Sequence, residues 1–131
     1  MKQVSIGSGH KFQPSQIVCL EHETTRLYAE IIEFVEARQV CWVRPLLLAV
    51  AVADSEPLSV LSPEQLTLYD LRWGADLLWP ASLFRPALDT EVIPLLVYLD
   101  DPDGRSTNDP DVHMQLSYFV RKVWQAYKSV F

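Results

Sequence analysis

This chain of 131 residues has little that could be cross-linked or hold a metal: two cysteines, Cys19 and Cys41, and three histidines, His10, His22 and His113. Two thiols make no disulfide framework, and such sparse use of cysteine points to a reducing compartment. A structural zinc site needs four ligands, normally including a close Cys or His pair. Cys19 and His22 are three apart, but on a strand that spacing sends them to opposite faces. No metal is expected, and the cysteines read as small buried apolar groups.

Glycine is also scarce, with four residues. Gly7-Ser8-Gly9 has Phe12 where the third glycine of a phosphate-cradling loop belongs, and no strand precedes it. No cofactor is expected. Long apolar runs are missing: the longest, Leu46 to Ala53, stops at Asp54, well short of the roughly 20 residues that cross a bilayer. The opening stretch from Met1 to His10 has one base and no apolar centre, so a secretory signal is not expected. Bases are the minority charge, 11 against 17 acids, for a net charge of -6. That balance disfavours nucleic acid as a partner and repels anionic membrane surfaces. A cytoplasmic protein without membrane insertion is the expectation.

What is present suits a globular domain: 49% hydrophobic residues and 11% aromatic. Residues 1–11 read as a flexible lead-in and 12–131 as a single globular domain, with 12–86 mostly β and 87–131 helical. Gln16 to His22 is a β-rich run bounded by Pro14-Ser15 and by Glu23-Thr24-Thr25, which suits a first strand. Arg26 to Arg38 is ambiguous. As a helix, Leu27, Ile31, Phe34 and Val35 share a face; as a strand, Glu30 and Glu33 break the alternation. The extended run Val40 to Leu48 that follows favours a long hairpin, with strands at 27–35 and 39–44 turning at Glu36-Ala37-Arg38, and the helix stays open as the alternative.

Leu66 to Arg72 alternates as a strand, Trp73-Gly74-Ala75-Asp76 supplies a turn in which Gly74 can take a positive φ angle, and Leu77-Leu78-Trp79 forms a short strand stopped by Pro80. Asp89 or Thr90 can cap a helix beginning at Glu91, with Pro94 tolerated in its first turn, running to about Leu99. Asp109-Pro110-Asp111 is a strong helix start. From there Val112, Leu116, Phe119, Val120, Val123, Tyr127 and Val130 recur at helical spacing.

No catalytic constellation emerges. Glu30, Glu33 and Glu36 read as a solvent-facing row, and Asp70 and Asp76 as turn chemistry, so none is nominated as an acid-base pair. The acids between Asp100 and Asp111 fail the calcium-loop pattern, because a glycine at its sixth position puts Leu99 at the first ligand. The remaining feature is aromatic. Trp73 and Trp79 bracket a tight turn, with Tyr69 and Arg72 before it and Phe84-Arg85 after it. These six residues are the types favoured at binding hot spots and form the candidate partner-binding set. The competing reading is that the rings close the core of a small barrel. Arg44-Pro45 and Arg85-Pro86 each set a base before a proline, either to anchor a partner's carboxylate or to sit in solvent.

Phe12-x-Pro14-x-Gln16-Ile17-Val18, then Leu27-Tyr28-Ala29-Glu30-Ile31-Ile32, then Val40-Cys41-Trp42-Val43-Arg44-Pro45 resembles the opening strands of an SH3-like small barrel, over residues 12–86. Together with Leu77-Leu78-Trp79-Pro80, the stretch is also similar to small conserved cyanobacterial proteins of uncharacterised role. The resemblance implies an SH3-like partly open barrel over 12–86, and with the two C-terminal helices read from the sequence the expected fold is mainly β, α+β. The resemblance also implies a cytoplasmic accessory protein serving a larger assembly. The resulting expectation is a non-enzymatic protein-interaction module, an adaptor or assembly factor, with homo-oligomers left open. An RNA-binding small barrel is the first alternative and a small enzyme the second.

Overall fold

The structure is a computed structural model and describes residues 12–51, 66–100 and 112–130. The expected lead-in over 1–11 and the helix start at Asp109-Pro110 lie outside the described residues. The fold is mainly β, consistent with α+β. Its strands are β1 (Ile17–His22), β2 (Thr25–Val35), β3 (Val40–Ala51), β4 (Leu66–Asp70), β5 (Leu77–Pro80) and β6 (Arg85–Pro86). Two helices follow, α1 (Asp89–Leu99) and α2 (Val112–Ala126).

The six strands make one antiparallel sheet in the order β4-β3-β2-β1-β6, and β5 also pairs with β3. Since β2 occupies one edge of β3, the other edge is shared: β4 takes Leu47–Ala51 and β5 takes Val40–Val43. The sheet does not close into a barrel. A barrel encloses one face as its interior, whereas here each face receives a helix. Val18 and Leu20 of β1 share a core with Phe119 and Val123 of α2, while the intervening Cys19 packs with Val92, Leu95 and Leu99 of α1. The helices therefore lie on opposite faces of the sheet.

Two-sided burial explains the apolar run in β3. Leu47 and Ala49 face α1 and Leu48 faces the α2 side, so consecutive positions are all apolar. The hairpin over 25–51 is what forms, and its pairing shows why the periodicity mimics a helix. Register shifts fall between Tyr28 and Ala29 and between Ile31 and Glu33, which leaves Leu46 of β3 and Ile32 of β2 as extra residues. A bulge of one residue reverses the side-chain alternation beyond it. Leu27, Ala29 and Ile31 therefore share their core with Phe34, although 31 and 34 differ in parity. Pro45, fully buried, sits beside the bulge at Leu46, where a strand tolerates a residue that cannot donate.

The turns carry unusual backbone. Glu23 closes the β1–β2 hairpin at φ 54, and Lys122 of α2 holds its carboxylate at 2.8 Å. Gln39 follows the short 3-10 turn Glu36–Arg38 at φ 53, its side-chain amide donating to the Glu36 carbonyl at 2.8 Å. Gly74 departs from expectation, since no described glycine has a positive φ. Helix α1 begins two residues earlier than the sequence suggests, with Leu88 as N-cap. The Glu91 carboxylate accepts the Leu88 N–H at 2.9 Å. Pro94 consequently lies in the second turn, where it has no N–H for the Thr90 carbonyl.

Candidate functional site

The turn from Arg72 to Asp76 leaves β4 after Leu71, whose N–H donates to the Leu46 carbonyl, and the Gly74 N–H donates back to Leu71, both at 3.0 Å. Arg72 grips Asp70 with two side-chain bonds, at 3.0 and 2.9 Å, and reaches Asp100 beyond the end of α1 at 2.7 Å. Burial opposes ionisation of Asp70, but the bonds from Arg72 outweigh it and hold the carboxyl below its usual range. At the far end of the turn, Asp76 accepts from the Trp42 indole N–H at 2.9 Å and lies 3.8 Å from Arg44. Trp73, between these two anchors, is 88% exposed.

Of the six residues nominated from sequence, Trp73 alone presents its ring to solvent. Trp79 and Phe84 are buried in the core beneath the α2 face, so neither can touch a partner, and Tyr69 packs partly against the same core. The alternation of β5 puts Trp79 inward, opposite Cys41. Arg72 positions the turn. Arg85 lies elsewhere, gripping Glu91 with two bonds at 2.8 and 3.1 Å. Arg44 and Arg85, expected from the sequence either to receive an outside carboxylate or to sit in solvent, are both part-exposed and each lies beside a carboxylate of the chain, Asp76 and Glu91 respectively.

The register adds residues that the sequence did not single out. On the α1 face, the helix covers the rows of Cys19, Tyr28 and Leu47. Beyond those rows the same face carries Glu30 beside Arg44, then Glu33 beside Trp42 and Leu78, then Val35 beside Val40 and Pro80. Trp42 is 41% exposed and Leu78 56%. The signal lay in Cys41-Trp42-Val43-Arg44: alternation gives Trp42 the face of Arg44, which is the face turned to solvent.

Under the start of α1 lies a polar cluster. The Tyr28 hydroxyl donates to Glu91 at 2.8 Å and Arg26 approaches both at 3.4 Å. Bonds from Arg85 outweigh desolvation and push Glu91 down to about 2. Burial pushes the Cys19 thiol up to about 12 and raises the Tyr28 hydroxyl. Cys41 belongs to the opposite face, its thiol pushed up to about 11 by burial.

Among the described residues, no three His, Cys, Asp or Glu side chains gather as metal ligands. No helix among them is long and apolar enough to cross a membrane. No protein-family model, curated protein or solved structure matches the chain.

Proposed function

We propose that this protein is a non-enzymatic interaction module, an adaptor or assembly factor that presents the Trp73 turn to a protein partner, in the cytoplasm. The observation that carries this reading is a tryptophan almost wholly in solvent on a turn tied at both ends, by Arg72 to Asp70 and Asp100 and by Asp76 to Trp42. A turn whose backbone is already tied loses little conformational freedom on binding, so more of the contact energy of the ring it carries appears as affinity. The twice-bent β2–β3 hairpin also suits the reading of the sheet as an opened relative of SH3-like barrels.

Protein is favoured over RNA by the net charge of -6 and by the pairing of four of the seven arginines. Arg26, Arg44, Arg72 and Arg85 each approach a carboxylate of the chain itself, whereas RNA binding needs guanidinium groups available for phosphate. The test is quantitative affinity capture from lysate of the native cells, with wild type and Trp73→Ala compared and both proteins melted in parallel. The expected result is a partner retained by wild type and bound about 2 kcal/mol more weakly by the variant, with the melting temperature unchanged. A variant that melts early while binding normally would return Trp73 to a structural role.

A further inference from the structure

Among the described residues, the α1 face of the sheet is roofed over only part of its length. Beyond the rows of Cys19, Tyr28 and Leu47 that α1 covers, the pleated surface continues across β2, β3 and β5. Its centre is apolar, with Trp42 and Leu78 exposed and Val35, Val40 and Pro80 partly so. Around that centre stand Glu30, Glu33 and Asp76 against one base, Arg44, which already pairs with Asp76.

Resting on the interaction-module reading, we infer that this open half of the sheet receives an amphipathic helix of the partner, basic along its flanks, laid beside α1. Three features support that occupant. Apolar sheet faces are stably covered by helices, as α1 does next door. Three adjacent strands span roughly 10 Å, the width of one helix. The strand length from Val40 to Arg44 is about 13 Å, which a helical segment of about nine residues matches. The charge selects among helices. Beside the Arg44–Asp76 pair, Glu30 and Glu33 add two carboxylates with no partner among the described residues, and these attract lysine and arginine and repel acidic segments. A second copy of this chain, at net charge -6, brings like charge to like. Trp73 stands three residues before Asp76, which holds Trp42, so in this arrangement it is placed to meet the end of the same helix.

The test uses the full chain and a displayed library of 14-residue peptides, with leucines fixed at helical i, i+3, i+4 and i+7 positions and the other positions random. Selection should enrich lysine and arginine over acids at the random positions. The selected peptides should lose about tenfold in affinity for Leu78→Glu and several-fold for Glu33→Lys, more at low salt than at high. Proline placed at the centre of a selected peptide should abolish binding. The inference fails if nothing is enriched, if the enriched peptides are neutral or acidic, or if a central proline is tolerated, which would mean an extended occupant. It fails too if Val97→Glu on the outer side of α1 weakens binding while Leu78→Glu does not. Sedimentation showing a dimer of the wild type that Leu78→Glu dissociates would assign the patch to a second copy. If Trp73→Ala weakens capture of the natural partner but Leu78→Glu leaves it unchanged, the interaction module stands and the helix site falls.

Discussion

Leu47 and Leu78 are the same residue type on the same face of one sheet, and both lie on or beside β3. Leu47 is wholly buried beneath α1, while Leu78 is 56% exposed beside Trp42. Local sequence does not separate them, since each stands in a short run of leucines. The difference lies in the reach of α1, whose buried residues Val92, Leu95 and Leu99 share a core with Cys19, Tyr28 and Leu47, with Ile17 at its margin, and not with Trp42 or Leu78. Burial here is decided by what the chain can cover with the elements it has. What the described elements leave uncovered, apolar and acid-rimmed, is the surface proposed for a partner.

The comparison can be broken most decisively at its buried end. Leu47→Ala should cost about 2–5 kcal/mol, read as a lowered urea midpoint at unchanged slope, because the removed atoms lie between the sheet and α1. The acid limb comes next. Glu91 ties the start of α1 to β6 and β2, and its folded-state pKa is depressed from 4.5 to about 2. A depressed carboxylate stabilises the fold fully above the unfolded value, so that stability is lost as pH falls from about 4.5 toward 2. With allowance for solvent screening the loss is about 1 kcal/mol. Glu91→Gln should remove this pH dependence in melts taken across that range. The thiols give a kinetic check on the covered regions. With Cys19 and Cys41 pushed up to about 12 and 11 by burial, neither should react with a disulfide reagent at pH 8 until the protein unfolds. Smallest of all, Leu78→Ala should change stability by about 0.5 kcal/mol or less. A Leu78→Ala cost equal to that of Leu47→Ala would show that the open half is packed, and the contrast would dissolve.

Much of this architecture could be read from the sequence where one physical signal acted alone. Bounded apolar runs located β1 and β5, alternation located β4, and the 3.6-residue period located α2. The exposure of Trp73 followed from its place in a turn. Legibility failed where two signals overlapped. In β2 the bulge at Ile32 spaced Leu27, Ile31 and Phe34 as a helix would, so periodicity and context disagreed. In α1 the cap came from the Glu91 side chain reaching back to Leu88, which leaves no capping residue type for the eye to find. Trp79 and Phe84 have the composition of a hot spot but the address of a core, and composition carries no address. Trp42 and Leu78 became visible only through cross-strand register, a property of pairs of residues distant in the chain.

The two bulges bear on how this hairpin can change over time. One extra residue sits on each strand, Ile32 on β2 and Leu46 on β3, and each inverts which parity of the chain looks inward. Point substitutions leave that code intact. Loss of Ile32 itself would restore simple alternation, with Ile31 inward, Glu33 outward and Phe34 still in the core. Loss of a residue from a regular part of either strand would instead turn inward side chains out. Single deletions should therefore be tolerated at the two extra residues, Ile32 and Leu46, and elsewhere in the hairpin only when a second length change compensates.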